Sequence, residues 1–303
     1  MRPFHVGLNL PTGEYGMGGE TPRWRDIVAL GQLAEAVGFD SIWVPDHLFI
    51  RTDTVDVWVW AALPLLSALA ATTTRVELGL LVACAGFHNP ALLAKMADTI
   101  DEISGGRFVL GLGAGWHEHE FRAFGFPFDD RVARFEEALH IIAPLLRDGQ
   151  VDFDGRFMAA RKCELRPRGP RPGGPPILIA GRQPRMLRLT ARYADRWNAS
   201  YSSTSNSPKG FAQLSEKLDA ACDVARRDRL TLTRTVMVLV RSYAFDVPWE
   251  ERFTPLEGSP EEIAAGLRAY AARGADKVIV TLEADTLDGI EAMAPVLEIL
   301  DQG

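Results

Sequence analysis

The stretch GFDSIWVPDHLF occupies residues 38–49, and its order of residue types decides the fold. Gly38 ends the amphipathic segment before it, because glycine enters the left-handed cap conformation at little cost. Phe39 to Val44 is short, apolar and β-prone, the pattern of a strand covered on both faces. Pro45 has no N–H to give a ladder, so pairing is expected to end there. Asp46 and His47 then follow the strand's C-terminal end, the position at which parallel α/β folds carry their chemistry.

The same strand-then-helix unit repeats on both sides of this stretch. Apolar, β-branched runs fall at 4–10, 40–45, 75–83, 107–113, 176–180, 194–199, 232–241 and 276–282, and helix-period segments at 22–37, 57–72, 90–103, 130–147, 184–193, 208–228, 259–273 and 286–301. Such alternation implies a parallel sheet with right-handed crossovers, and eight repeats close into a (β/α)8 TIM barrel. The expectation is one domain over residues 1–303, with a doubly wound sheet ranked second because it leaves the last two units unexplained. Ser259-Pro260-Glu261-Glu262 marks one helix start as a capping box with proline in the first turn, and Gly274 marks its end. Insertions are expected after strands four and seven: residues 148–175 read as a hairpin followed by an extended connection, and 242–258 as a long loop. Residues 200–208 read as a polar loop after strand six. Rim loops of this kind, with 50–56, are where a small-molecule substrate is expected to bind.

Bulk properties exclude several classes. A net charge of −7 offers no basic field for nucleic acid or an anionic membrane. The longest apolar run, 57–71, is broken by Pro64 and falls short of the ~20 residues a membrane span needs. The N-terminal MRPFHVGLNLP has neither the apolar core nor the cleavage site of a signal peptide, so a cytoplasmic protein is expected. Cys84, Cys163 and Cys222 are odd in number and widely spaced, which suggests neither disulfides nor a zinc knuckle.

Four segments carry candidate chemistry. Asp46-His47 places an imidazole on the rim, and imidazole is the side-chain type suited to acid–base work near neutral pH; a surface pair capping a turn is the plainer alternative. LGLGAGWHEHEF, 110–121, spaces its glycines as GxGxG, which is not the dinucleotide fingerprint; these glycines either let a flat ligand approach or fill a tapering barrel. His117 and His119 share a face only in an extended segment, and exposure in a loop without a metal is expected. ILIAGRQPRMLR, 177–188, runs a strand into Gly181-Arg182-Gln183 with Pro184 opening a helix, so free amides and arginines are offered to an anion; an ordinary turn is the alternative. In 88–106, Ala94, Ala97, Ile100 and Ile103 form a core stripe at helical spacing. No Ser/His/Asp or Cys/His arrangement, P-loop or HExxH is present.

Taken together, GFDSIWVPDHLF, TRVELGLLV, HNPALLAKMADTIDEISGGRFVLGLGAGW, FRAFGFPF, RFEEALHII, PPILIAGRQPRMLRLTARYADRWN and SPEEIAAGLRAYAARGADKVIV resemble the luciferase-like monooxygenase superfamily of flavin- and deazaflavin-dependent barrels. The resemblance spans essentially the whole chain, is most specific over 38–147, and is strongest to the coenzyme F420-dependent oxidoreductase branch.

That resemblance implies positions. Asp46 and His47 match the pair that meets the deazaflavin, with His47 as the acid–base residue. Leu81-Val82 matches a non-prolyl cis peptide backing the ring; Gly113, Ala114, Gly115 and Trp116 match the strand-four edge of the ring site; Ala180, Gly181, Arg182 and Gln183 match the cofactor phosphate loop. One departure bears on the substrate: sugar-phosphate dehydrogenases of the superfamily carry a glutamate acid where this chain has Trp116, which argues against glucose-6-phosphate chemistry and leaves His47 to move the proton alone. The leading expectation is an F420-dependent oxidoreductase transferring hydride to or from a small organic substrate. Arg51, Arg182 and Arg185 stand as partners for the anionic tail. The alternatives are a reduced-FMN-dependent monooxygenase and a flavin-binding protein without turnover. The resemblance also implies a homodimer, with Trp58 and Trp60 as interface candidates beside the alternative of core packing.

Overall fold

The computed structural model describes residues 2–14, 17, 20–52, 56–241, 253–283 and 285–302. Eight parallel strands form its centre: β1 His5–Asn9, β2 Ser41–Val44, β3 Glu77–Leu80, β4 Phe108–Gly113, β5 Ile177–Ala180, β6 Arg196–Ala199, β7 Thr233–Val240 and β8 Lys277–Leu282. Each pairs in parallel with the next, and β8 pairs with β1, so the sheet has no free edge and the barrel is closed. The main helices between strands are α1 Trp24–Val37, α2 Ala62–Thr72, α3 Pro90–Ser104, α4 Arg131–Asp148, α5 Pro184–Tyr193, α6 Pro208–Ala225, α7 Pro260–Ala271 and α8 Ala294–Asp301. They lay their apolar faces on the outside of the sheet, where most of the core lies.

Local signals act as the sequence predicts. Gly38 closes α1 with φ +104°. Ser259 and Glu262 form the reciprocal capping box of α7, with Pro260 in its first turn. The hairpin Gln150–Asp154 with Ala159–Glu164 follows α4.

Four expectations need correction. Residues 57–61 are not helical: Asp56–Trp58 pairs antiparallel with Phe49–Arg51 in a hairpin on the rim, and α2 begins only at Ala62. The run VDVWVW alternates with the period of a strand, and Pro64 is tolerated because it sits in the first helical turn. The run 75–83 is not one strand; β3 stops at Leu80, the Leu81–Val82 peptide is cis, and Ala83–Cys84 then pairs with Leu112 and Gly113. Residues 201–204 form a short helix inside the loop after β6. Ile103 is exposed at 45%, so the buried stripe of α3 contains Ala94, Ala97 and Ile100 without it. Of the expected loop 242–258, residues 242–252 lie outside the described residues, as do 53–55 of the expected substrate segment 50–56.

The barrel interior is plugged in layers. At the N-terminal end, Glu77, Arg196 and Lys277 meet from three non-adjacent strands, with Arg196 donating to Glu77 at 2.6 and 2.8 Å and Lys277 at 2.8 Å. Burial alone would raise the Glu77 pKa, but the two cations outweigh it and bring it down to about 2. Above this plug Trp43 fills the lumen with Leu81, Val109, Leu178 and Ile279. Its indole fits because two neighbours lack a Cβ: one built on Gly79 would lie 1.9 Å from the ring, and one on Gly7 would lie 2.7 Å from Nε1. The indole N–H donates to Ser41 Oγ at 2.9 Å.

Candidate active site

The candidate residues gather on one arc of the C-terminal rim. Asp46 and His47 follow β2, Leu81 and Val82 follow β3, Gly113 to Trp116 end β4, and Ala180 to Gln183 lead from β5 into α5. These four strands are consecutive neighbours in the barrel. The arc is therefore a property of the strand order.

Asp46 and His47 are adjacent in sequence but take different partners. Asp46 is buried, and its Oδ2 accepts from His88 Nε2 at 2.8 Å and from the Cys84 N–H at 3.2 Å. It thereby ties the end of β2 to the segment after the cis peptide. Burial pushes the neighbouring Cys84 thiol up to about 12, which keeps it protonated and inert.

His47 pairs instead with Glu120. The imidazole Nδ1 lies 3.1 and 3.3 Å from the two carboxylate oxygens, and Glu120 Oε1 also accepts from the backbone N–H of Leu48 at 2.6 Å and Phe49 at 3.4 Å. Glu120 is only 2% exposed. A buried carboxylate with several donors is a strong acceptor, and it fixes the tautomer: Nδ1 carries the proton and donates. Nε2 is left as the ring's open nitrogen, with no partner among the described residues. The His47 and Trp116 rings meet edge to face with centroids 5.7 Å apart, and Trp116 is largely exposed.

Glu120 and His88 were not apparent in the sequence. Glu120 sits in the short helix Glu118–Ala123 beside the fully buried Phe121. An acid next to a buried aromatic in HEHEF is the available signal, but the run reads as an exposed loop.

One of the histidines in that run behaves differently from expectation. His117 is buried, not exposed in a loop, and its Nε2 accepts the Arg51 N–H at 3.1 Å. Burial lowers its pKa below the ordinary histidine value, in keeping with a nitrogen that must stay unprotonated to accept. His119 is exposed, and among the described residues no three His, Cys, Asp or Glu side chains cluster as metal ligands.

The GxGxG glycines have an immediate packing reason. A Cβ on Gly111 would lie 1.8 Å from the Leu80 carbonyl oxygen, one on Gly113 2.8 Å from Val82, and one on Gly115 2.6 Å from both Cys84 and Phe121. They admit the 80–84 segment against β4. At the β5 end, Trp197 Nε1 donates to the Gly181 carbonyl at 2.9 Å, which fixes the turn. Gln183 is the N-cap of α5 without a side-chain cap, so first-turn amides remain open to an anion. Of the three arginines expected at an anionic tail, Arg51 is paired with Asp56 at 2.9 Å and Arg185 with Glu136 at 2.6 Å. Arg182 is exposed and has no partner among the described residues. The rim thus fits a flat ring with an anionic tail: a wall of segment 80–84 and Trp116, one open imidazole nitrogen, and one free arginine at an uncapped helix start. A surface groove lined by Arg147, Arg188, Arg192 and Arg227 lies at the other end of the barrel, where Arg147 and Arg227 are already spent on the Tyr193 and Ala194 carbonyls.

Comparison with known proteins agrees with this geometry. Residues 4–244 match the family model of the luciferase-like monooxygenases. The chain belongs to that family. It is 35% identical over 200 residues to the 5,10-methylenetetrahydromethanopterin reductase of Archaeoglobus fulgidus, covering 65% of this chain and 54% of the relative. It is 32% identical over 238 residues to the pyrimidine monooxygenase RutA of Rhizobium rhizogenes, covering 74% of this chain and 64% of the relative. This luciferase-like chain therefore spans less than two thirds of the length of either relative. In fold it is similar to an F420-dependent secondary alcohol dehydrogenase solved with an F420–acetone adduct, with TM-score 0.82, 18% identity and 99% of both chains covered. No described helix is long and apolar enough to cross a membrane.

Proposed function

We propose that this luciferase-like barrel is an F420-dependent oxidoreductase that moves hydride between the deazaflavin and a small organic substrate. The observation that carries the reading is the His47–Glu120 pair on the rim arc formed by the ends of β2 to β5. The reductase relative supports it, being a family member named for a reduction. The bound ring supplies the hydride chemistry. The chain's own residues do the rest. Glu120 holds His47 with Nδ1 protonated and balances the ring's charge whenever Nε2 also takes a proton. His47 Nε2 gives that proton to the substrate, or takes one from it, as hydride leaves or arrives. Trp116 and segment 80–84 keep water from one side of the site. Arg182 and the first-turn amides of α5 hold the anionic tail.

A reduced-FMN-dependent monooxygenase is the second reading, favoured by the pyrimidine monooxygenase relative. It uses the same arc. Fluorescence-monitored titration separates the two: micromolar F420 binding supports the first, and micromolar FMN binding with no F420 response overturns it. Binding of either without turnover on a broad substrate panel returns the protein to the non-catalytic alternative. As part of the same proposal the protein is a homodimer through Trp58 and Trp60, each nearly half exposed; sedimentation of the Trp58→Ala/Trp60→Ala variant as a dimer overturns that assignment.

A further inference from the structure

Two polar atoms inside the barrel mouth have no partner among the described residues: Asn9 Oδ1 and Thr281 Oγ1, both buried. They belong to neighbouring strands. The β1–β8 register pairs Leu8 with Val280, so Asn9 and Thr281 come next, side by side at the C-terminal end. Both face inward. A Cβ on Gly7 would meet the Trp43 ring in the lumen, and Ile279 packs in the interior cluster with Trp43. Side chains alternate with period two, so Asn9 and Thr281 share that inner face, one step nearer the rim. Their lateral neighbours are apolar: Asn9 is in register with Trp43 on β2, and Thr281 with Leu239 on β7. Asn9 is only partly buried and Thr281 is 8% exposed, so the pair is reachable from the rim.

Buried polar atoms are almost always paired, and leaving two adjacent ones unpaired among apolar neighbours costs stability. We propose that Asn9 and Thr281 form a recognition subsite for an N–H/C=O edge, as carried by an amide, lactam or cyclic imide. Asn9 Oδ1 can only accept, so it calls for a donor, and the N–H of an amide-type edge supplies one. The Thr281 hydroxyl can donate to a carbonyl beside that N–H. Adjacent strands lie ~4.8 Å apart at the backbone, so the two side chains can converge on one ligand edge. A carboxylate or phosphate would set lone pairs against Oδ1, and a hydrocarbon would leave both atoms unpaired. The edge has two sources, an amide-type substrate or the pyrimidine edge of the bound ring, and the assignment rests on the rim being the ring-binding site proposed above.

The test uses two near-isosteric variants, Thr281→Val and Asn9→Leu, with uracil and 1,3-dimethyluracil as probes by calorimetric titration, alongside F420 and FMN titrations. Wild type is expected to bind uracil and to discriminate against the dimethyl ring, which lacks N–H donors. Each variant is expected to weaken either uracil or cofactor binding about tenfold. Loss of uracil affinity alone assigns the edge to the substrate, and loss of cofactor affinity assigns it to the ring. The ligand-free variants are expected to melt no lower than wild type, because neither atom has a partner to lose. A clearly lower Tm, or unchanged affinities for uracil and for whichever cofactor binds, overturns the subsite while leaving the redox reading intact. Failure of both cofactors to bind overturns the redox reading, and the uracil arm still decides the subsite.

Discussion

His47 Nδ1 stands 3.1 Å from Glu120 Oε2, a contact between residues 73 positions apart. The pair to which the proposed function gives the proton is thus supplied by the end of β2 and by the short helix after β4. The sequence offers Asp46 and His47 only as neighbours at the end of β2 and, with Trp116 in place of the glutamate acid, leaves His47 to move the proton alone. Asp46 instead braces the site through His88 and Cys84.

Substitution of the pair separates binding from chemistry. His47→Ala is expected to keep cofactor affinity within a few-fold while slowing turnover by about 10²-fold, the scale of a lost acid–base group. Glu120→Gln is expected to lower kcat about tenfold with KM little changed, because the amide no longer enforces one tautomer. Glu120→Ala adds a folding cost of about 2 kcal/mol, since the Leu48 and Phe49 N–H groups lose their acceptor. Steady-state kinetics and thermal melts check these outcomes; unchanged turnover in His47→Ala removes that residue from the mechanism.

The glycine beneath the site is expected to tolerate no side chain. A methyl on Gly79 would overlap the Trp43 ring, with 1.9 Å to the nearest carbon. Gly79→Ala should therefore cost about 3 kcal/mol, at the upper end of overpacking, and Trp43→Leu in the same chain should recover part of it. Denaturant unfolding of the single and double variants measures both. Equal stability of Gly79→Ala and wild type would show that the indole is not confined as described.

At the other end of the lumen, the Glu77–Arg196–Lys277 plug links stability to acid. Its carboxyl titrates near 2 when folded, against 4.5 as the unperturbed value, so the unfolded chain binds the proton more tightly. The contribution is whole above about pH 4.5 and is lost as pH falls towards 2. Glu77→Gln should remove this dependence and, by leaving two cations facing each other, cost roughly 2–4 kcal/mol at pH 7. Urea midpoints measured from pH 7 to pH 2.5 test the sign: stability that does not fall over the last two units in wild type contradicts it.

Most of the barrel was legible because its signals are local. Strand runs, the αL glycine at 38 and the Ser259–Glu262 box each act within a few residues. The rim position of Asp46 and His47 was legible for the same reason, being fixed by where β2 ends. Partnerships across the barrel were not. Nothing near His47 announces Glu120, and nothing near Asp46 announces His88, since closure of the barrel brings them together. The segment 57–61 was misread because a strong apolar run masked its two-residue alternation. His117 departs from the expected loop exposure because its partners come from the rim strand after β2: it packs against Phe49 and accepts the Arg51 N–H.

That buried imidazole gives a second linkage, in the range where enzymes are assayed. His117 Nε2 accepts the Arg51 N–H at 3.1 Å, and burial lowers its pKa below the unperturbed 6.5. A depressed folded pKa means the unfolded chain takes up the proton first. The neutral ring's contribution is therefore complete above about pH 6.5 and is lost as pH falls from there towards the folded value. Because Arg51 belongs to the rim strand pair, protonation should loosen Phe49–Arg51 and Asp56–Trp58 before the barrel itself unfolds. Hydrogen exchange at the Arg51 amide is expected to quicken, relative to its intrinsic rate, between pH 7.5 and pH 5.5, while amides of β4 stay protected. In His117→Gln, whose amide oxygen still accepts but does not titrate, Arg51 protection should be independent of pH over that range. Equal pH dependence in wild type and variant would place the switch elsewhere.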